Sequence, residues 1–151
     1  FCFAAATRAL AAGICAKGYK VAALLTPAQQ HWAELIAEAV PPGQLITLPA
    51  LSTAELAAAC AALDAVVSVD SAPVHLSGAA GVPVLGLYNG FGRETPRWYP
   101  QSCDHPLSRP FSEPGKWICE LGAAALAEAL ACFLSELKKS APSRPDTEQQ
   151  F

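Results

Sequence analysis

The segment of this sequence best suited to chemistry is an apolar run that ends at an acid and a hydroxyl. Residues 66–69 read Val-Val-Ser-Val, and Asp70, Ser71 and Pro73 follow them. The short β-branched run predicts a strand buried on both faces, as in a parallel sheet. Pro73 predicts a helix start, because it has no N–H to leave unpaired and its fixed φ suits the first turn. The free amides and the positive dipole end of that turn predict an anion site.

His75 lies about one helical turn beyond this joint, near the mouth of the same predicted anion site. Taken by themselves, Asp70 and Ser71 are equally well explained as an ordinary helix start, because both are favoured N-cap residues. A lone histidine on a helix is also commonly a structural side chain. His31 and His105 have no comparable surroundings and are expected at the surface. The residue types alone therefore leave a binding site and a plain helix start both open.

Length and composition indicate one packed domain. The chain has 151 residues, of which 52% are hydrophobic and 15% are charged. The net charge of -3 and the scattering of the ten basic residues argue against a nucleic-acid partner. Charged residues such as Arg8 and Glu128 interrupt the apolar segments before they reach the roughly 18 residues of a membrane span. The chain opens at Phe1 without a basic region, so a secretory signal is not indicated.

The cysteines are predicted to be reduced thiols in a cytoplasmic protein, because they are widely spaced and form no Cys-x-x-Cys pair. They are Cys2, Cys15, Cys60, Cys103, Cys119 and Cys132. No metal-ligand spacing is present, so no metal is expected. The sequence has no methionine and starts at Phe1 inside a helix-like segment. We therefore expect it to be a piece of a longer protein.

Helix-like and strand-like segments alternate along the chain. Strands are predicted over 20–25, 45–48, 66–69 and 84–88. Helices are predicted over 4–16, from 27 to about 40, from 53 to about 63, over 73–80 and from about 118 to 138. Thr26 with Gln29 and Ser52 with Glu55 have the form of capping boxes.

This alternation predicts an α/β fold, with a Rossmann-like parallel sheet of about four or more strands and helices on both faces. Ligands bind such sheets at the carboxyl ends of the strands, which is where Asp70 and Asn89 are expected. Residues 89–115 are predicted to form a long irregular loop beside the site. Its charged residues Arg93, Glu94 and Arg97, beside Trp98 and Tyr99, either clamp a phosphate or an acceptor or are solvated charges over packed aromatic side chains. Residues 140–151, rich in proline and charge, are predicted to be a disordered tail.

From Thr47 to Tyr88 the order of motifs resembles the donor-binding domain of glycosyltransferase family 9, the ADP-heptose:lipopolysaccharide heptosyltransferases and their relatives. The string comprises Leu48-Pro49, a capping box, an Ala-rich helix, the run 64–76, Gly81-Val82-Pro83 and the strand 84–88. The similarity covers about residues 8–135 and is most specific over 48–88. It implies the carboxyl-terminal half of a GT-B fold, with residues 1–139 as a nucleotide-sugar-binding, Rossmann-like domain.

The resemblance also implies roles for particular residues. Asp70 matches an acid that contacts the donor sugar, and Ser71 with the backbone of Ala72 matches the turn on the diphosphate. His75 matches a histidine beside those phosphates. At position 72 the family usually has glycine.

Two positions are implied to hold the nucleoside. Leu51 falls where a residue packs on the nucleobase, and Gln30 falls near an acid that holds the ribose. After the fourth strand the family tends to read Gly-Pro-Thr-Asp, whereas this chain reads Asn-Gly-Phe-Gly over 89–92.

The function that the resemblance implies is the donor-binding part of an inverting glycosyltransferase. Such an enzyme transfers heptose or a related sugar from a nucleotide diphosphate sugar, here expected to be an ADP-sugar, to a hydroxyl of a glycolipid or glycan. No cofactor or metal is implied. The general base and the acceptor-binding residues are expected in a missing domain, so this piece alone is expected to be inactive. Peripheral association of the full-length protein with the inner face of a bacterial membrane is a further expectation.

Two rival functions stay open. A noncatalytic, degenerate glycosyltransferase-like module for nucleotide binding or scaffolding is favoured by Ala72 and by the altered segment 89–92. A sugar-nucleotide epimerase fits less well, because the Asp-Ser-x-x-x-His arrangement is more typical of the transferases.

Overall fold

The fold alternates helices and strands as the sequence predicts. The computed structural model describes residues 2–91, 98–99 and 105–140. The helices are α1 (Cys2–Ala16), α2 (His31–Ala37), α3 (Thr53–Ala61), α4 (Ala72–Ala79) and α5 (Ala123–Ser140). The strands are β1 (Val21–Leu24), β2 (Leu45–Leu48), β3 (Val66–Val69), β4 (Val84–Leu87) and β5 (Arg109–Phe111). No helix among the described residues is long and apolar enough to cross a membrane.

The strands pair in parallel, which confirms the α/β, Rossmann-like class. β1 pairs with β2 in one sheet, and the order β3-β4-β5 forms a second. Parallel strands need long crossovers, and α2 supplies the one between β1 and β2, as α4 supplies the one between β3 and β4. β1 and β3 do not pair with each other, so the described strands form two sheets rather than one.

Helices cover both faces of the β3-β4-β5 sheet. Leu85 and Leu87 of β4 face the buried side chains of α1 and α5, among them Ala6, Leu130 and Phe133. Val66 and Val84 point the opposite way and pack with Val74 of α4. Because successive side chains of a strand alternate between faces, a strand buried on both faces needs a continuous apolar run. This explains the compositions of β3 and β4.

The second helix is shorter than predicted. The Thr26–Gln29 box closes a 3-10 turn over Pro27–Gln29, where the Gln29 side-chain oxygen accepts the Thr26 N–H at 3.1 Å. α2 then ends at Ala37 and does not reach Val40. Val40 precedes a proline, and the residue before proline is disfavoured in helical conformation.

The prediction of an irregular loop over 89–115 is wrong at one place, where β5 pairs with β4. Leu87 of β4 lies opposite Phe111, and Gly86 lies opposite Pro110. Pro110 makes this strand hard to predict from the sequence, because proline is disfavoured in central strands. It is tolerated at the edge of a sheet, where β5 lies. The Arg109 side chain forms an ion pair with Glu136 of α5, which joins this edge to the helix layer. Arg93, Glu94 and Arg97 lie outside the described residues.

The last helix begins later and ends later than predicted. A 3-10 turn occupies Ile118–Glu120, and α5 starts at Ala123. Ser140, placed in the predicted tail, is the final residue of α5. The rest of that predicted tail, 141–151, lies outside the described residues.

The fit between Gly86 and Tyr88 gives a first testable prediction. A Cβ at Gly86 would lie 2.6 Å from a Tyr88 ring carbon, and Tyr88 is fully buried. We expect Gly86→Ala to lower the free energy of unfolding by about 1–3 kcal/mol, because the ring must shift within a packed core. Urea unfolding measures the change. Gly122→Ala is the matched control, since its Cβ would meet its nearest neighbour at an ordinary 3.6 Å. Equal stability of the two variants would contradict this packing.

Candidate functional site

The residues predicted to bind a ligand follow the carboxyl ends of three strands. Gln30 lies after β1, Leu51 after β2, and Asp70 directly after β3. The Asp70 N–H donates to the Leu87 carbonyl oxygen at 3.0 Å, which continues the β3-β4 ladder to this residue. The Asp70 backbone is therefore held by the sheet, while its side chain is exposed at the edge. A carboxylate in this position can meet a ligand without any rearrangement of the sheet.

Ser71 is the N-cap residue of α4, but its hydroxyl does not cap the helix. That hydroxyl donates back to the Val69 carbonyl oxygen at 2.9 Å and lies 3.2 Å from the Ser68 hydroxyl. A capping hydroxyl serves the amide of the second or third helical residue; here Pro73 has no N–H and the Val74 N–H donates to the Ser71 carbonyl oxygen at 3.0 Å. The amide of Ala72, the first residue of α4, is one that the helical pattern leaves without an intrahelical partner, so this turn can offer it, with the positive dipole end, to an anion.

Alanine at position 72 is compatible with this turn. The only positive φ angles in the described residues belong to glycines, and Ala72 is the first residue of α4. A glycine is needed where φ must be positive, and that condition is not met here. The departure from the family's usual glycine therefore leaves the backbone path intact.

His75 lies in the first turn of α4, close to the Asp70 carboxylate. Its Nε2 lies 3.9 Å from Asp70 Oδ1, and its side chain is half exposed. The indole ring of Trp98 stands edge-on to the imidazole, with ring centroids 6.2 Å apart. Asp70 and His75 are therefore brought together across the start of α4, as their spacing predicts.

The two predicted nucleoside positions lie elsewhere along the strand ends. Gln30 is exposed, and its side-chain amide donates to the Leu25 carbonyl oxygen at 3.4 Å. Leu51 is half-buried between β2 and α3. Among the contacts of the described residues, none joins Gln30 or Leu51 to Asp70 or His75. Their roles stay predictions.

Tyr88 is buried beneath Asp70 and His75 and supports the site, a role that the sequence did not reveal. Its hydroxyl donates to the Trp98 carbonyl oxygen at 2.7 Å and so tethers the residue that contacts His75. Burial raises the pKa of Tyr88 well above its ordinary value, and the nearby Asp70 carboxylate and Tyr99 add to the shift. Tyr88 therefore stays protonated and remains a hydrogen-bond donor.

Glu113 joins the loop after β5 to the strand ends. Its carboxylate accepts the Gly122 N–H at 2.7 Å and forms an ion pair with Lys116. The Lys116 carbonyl oxygen in turn accepts the Gly90 N–H at 2.8 Å. A Cβ at Gly90 would overlap the Glu113 carbonyl oxygen, so the close approach of the two segments requires glycine. Asn89 adds a link, since its side-chain oxygen accepts the Ile118 N–H at 2.8 Å.

No metal centre is evident in the part of the chain that the structure describes, because no cluster of three or more His, Cys, Asp or Glu side chains forms there. The cysteines described there, Cys15, Cys60, Cys119 and Cys132, are free. The side chains of Cys2 and Cys103 lie outside the described residues.

The fold and this edge define a class of protein, the Rossmann-like α/β domains whose ligand crevice lies at the carboxyl ends of parallel strands. The chain belongs to glycosyltransferase family 9: the family model described as "Glycosyltransferase family 9 (heptosyltransferase)" matches residues 4–102. That match includes β1 to β4 and the turn that carries Asp70, Ser71 and His75. A search of curated proteins found no match.

A solved structure has the same fold. It is described as the crystal structure of the glycosyl transferase family 9 from Veillonella parvula DSM 2008. The superposition has a TM-score of 0.68 and covers 88% of this chain at 17% sequence identity. The chain spans 42% of the length of that structure. At this identity the likeness shows the fold alone.

The Glu113 contacts generate a prediction for stability against pH. Hydrogen bonds from Lys116 and from the Gly122 amide hold the pKa of Glu113 below its ordinary value. A lowered folded pKa means that the unfolded state binds the proton first, so the stabilisation is complete above the unfolded pKa of about 4.3 and is lost as pH falls through the folded pKa. We expect Glu113→Gln to be less stable than the unmodified chain near pH 7, with the difference shrinking towards about pH 3.

Urea unfolding across this pH range measures the difference. The matched control is Glu34→Gln on the exposed surface of α2, which should leave the pH profile nearly unchanged. A constant difference between Glu113→Gln and the unmodified chain at all pH values would show that the ionised carboxylate contributes nothing.

Proposed function

We propose that this chain is the donor-binding part of an inverting glycosyltransferase. The donor is a nucleotide diphosphate sugar, an ADP-sugar carrying heptose or a related sugar, and the acceptor is a hydroxyl of a glycolipid or glycan. The observation that supports this most directly is the uncapped start of α4, with Asp70 and His75 3.9 Å apart across it. Family 9 membership supports the transferase class.

The diphosphate is assigned to the turn between β3 and α4. The Ser71 hydroxyl bonds to Val69 rather than to the helix. The amide of Ala72, which the helical pattern leaves without an intrahelical partner, would bind a phosphate oxygen. The exposed imidazole of His75 supplies an N–H one helical turn further on. These donors lie where negative charge develops on the leaving diphosphate, which is the charge that must be stabilised for transfer.

The sugar is assigned to Asp70. Its backbone is held in the β3-β4 ladder while its carboxylate is exposed, an arrangement suited to accepting hydrogen bonds from sugar hydroxyls. Leu51 and Gln30 would then hold the base and the ribose beyond the ends of β2 and β1. The donor would lie across the strand ends, with its diphosphate at the helix start.

Transfer needs a base to deprotonate the acceptor hydroxyl, and we assign that base to a part of the protein outside these residues. The chain spans 42% of the family 9 structure that it resembles. The 151-residue chain is therefore expected to bind the donor and not to transfer it. The longer protein would combine this donor site with an acceptor site, at a peripheral position on the inner face of a membrane.

Calorimetric titration tests the donor site. ADP, an ADP-sugar, a UDP-sugar and a GDP-sugar are titrated into the chain, with the ADP-sugar expected to bind most tightly. His75→Gln should weaken binding of both ADP and the ADP-sugar by about 10- to 150-fold, since a charge-assisted hydrogen bond to phosphate contributes about 1.5–3 kcal/mol. His31→Gln is the matched control on α2 and should leave binding unchanged.

Asp70→Asn separates the sugar contact from the diphosphate contact. It should weaken binding of the ADP-sugar and leave ADP binding close to that of the unmodified chain. The same titrations on the full-length gene product show whether residues outside these 151 contribute to binding. Absence of nucleotide binding by both proteins at millimolar concentration would contradict the proposal. Tight binding without transfer by the longer gene product would instead support the noncatalytic alternative.

A further inference from the structure

Exposed aromatic side chains follow β4 in the chain. Among the Phe and Trp residues that the structure describes, Phe91, Trp98 and Trp117 are largely exposed. Trp98 is 55% exposed and contacts His75 of the candidate site. A large apolar side chain left open beside polar ligand-binding groups is typical of a binding surface. Trp98 is therefore the exposed aromatic residue to examine for a contact with the ligand.

Trp98 is joined to Asp70 through His75. The indole and imidazole rings are nearly perpendicular, at 75°, with centroids 6.2 Å apart. The His75 Nε2 atom lies 3.9 Å from Asp70 Oδ1. The three side chains thus follow one another across the start of α4, in the order carboxylate, imidazole and indole. One ligand of moderate size can contact all three.

The backbone of Trp98 is anchored to the core of the domain. The Tyr88 hydroxyl donates to the Trp98 carbonyl oxygen at 2.7 Å, and the Tyr88 ring lies 4.6 Å from the ring of Tyr99. Tyr88 is itself fully buried. The segment that carries Trp98 is therefore held in place before a ligand arrives. Such preorganisation reduces the entropy that is lost when a ligand binds.

The chemistry of these three side chains suits a sugar that is attached to a diphosphate. A sugar ring has hydroxyl groups around its rim and C–H groups on its faces. The Asp70 carboxylate accepts hydrogen bonds from hydroxyls. An indole ring is apolar and has an electron-rich face, which attracts C–H groups. His75 lies between them at the helix start, where phosphate is assigned.

We propose that Trp98 is a sugar-contacting residue of the donor site. Its indole stacks on the C–H face of the transferred sugar, while Asp70 accepts hydrogen bonds from the sugar hydroxyls. Tyr88 is a positioning residue that acts through the Trp98 backbone. This inference rests on the proposed donor site and adds to it an apolar contact that distinguishes a nucleotide sugar from the nucleotide alone.

Calorimetric titration of the full-length gene product with ADP and with ADP-heptose tests this contact. The ratio of the two dissociation constants isolates the contribution of the sugar. Trp98→Ala should weaken binding of ADP-heptose by about 2- to 12-fold, the range that contacts between aromatic surfaces typically contribute, and leave ADP binding unchanged. Trp98→Phe keeps an aromatic face and should retain most of the affinity.

Trp117→Ala is the matched control. Trp117 is 54% exposed, nearly the same fraction as Trp98, and its ring lies 4.9 Å from that of Phe91 rather than beside His75. Its replacement should leave the ratio of the dissociation constants unchanged.

Tyr88→Phe tests the positioning role, because it removes the hydroxyl and keeps the buried ring. It should weaken binding of ADP-heptose when Trp98 is present. In the Trp98→Ala background it should have no further effect, since the two residues act through one contact and their effects are then not additive. A general loss of stability would weaken binding equally in both backgrounds, which would contradict the positioning role.

The two probes separate failure of this inference from failure of the proposed function. Absence of ADP binding contradicts the donor site and, with it, this inference. Binding of ADP with an unchanged ratio in Trp98→Ala overturns the inference alone. Equal weakening of ADP and ADP-heptose by Trp98→Ala also overturns it, because the indole would then act on the nucleotide. The same effect from Trp117→Ala as from Trp98→Ala overturns it as well.

Discussion

The parallel ladder between β3 and β4 is the interaction on which the rest of the structure depends. It runs from the Val66 N–H, bonded to Pro83 at 2.9 Å, to the Asp70 N–H, bonded to Leu87 at 3.0 Å. The last bond places the first residue of the candidate site within the sheet. The apolar side chains of both strands are covered on one face by α1 and α5, and on the other by α4. Displacing the ladder would therefore disturb both the core and the site.

The site combines a rigid backbone with exposed side chains. Asp70 and His75 are open to solvent, whereas Tyr88 beneath them is fully buried and holds Trp98 through its hydroxyl. This division is suited to recognition, because a buried scaffold limits the conformational entropy that ligand binding must overcome. The Ser71 hydroxyl bonds back to Val69 of β3 and does not cap α4, so the start of the helix has no side-chain cap.

The described strands form two parallel sheets rather than one continuous sheet. β3 carries the candidate anion turn at one end, and among the described residues only β4 pairs with it. The chain belongs to family 9 and matches a family 9 structure over 88% of its own length.

The sequence by itself determined the order of the helices and of the first four strands, the bounds of those four strands to within a residue, and the meeting of Asp70 with His75. These features are local: apolar runs define β2, β3 and β4, and a spacing of five residues across a helix start sets the separation of the two side chains. It did not determine β5, because Pro110 masks it, nor the tether from Tyr88 to Trp98. Both require segments distant along the chain to meet. Only the tertiary structure decided these pairings and the gap between β1 and β3, because hydrogen-bond partners across a sheet are chosen by packing rather than by local pattern.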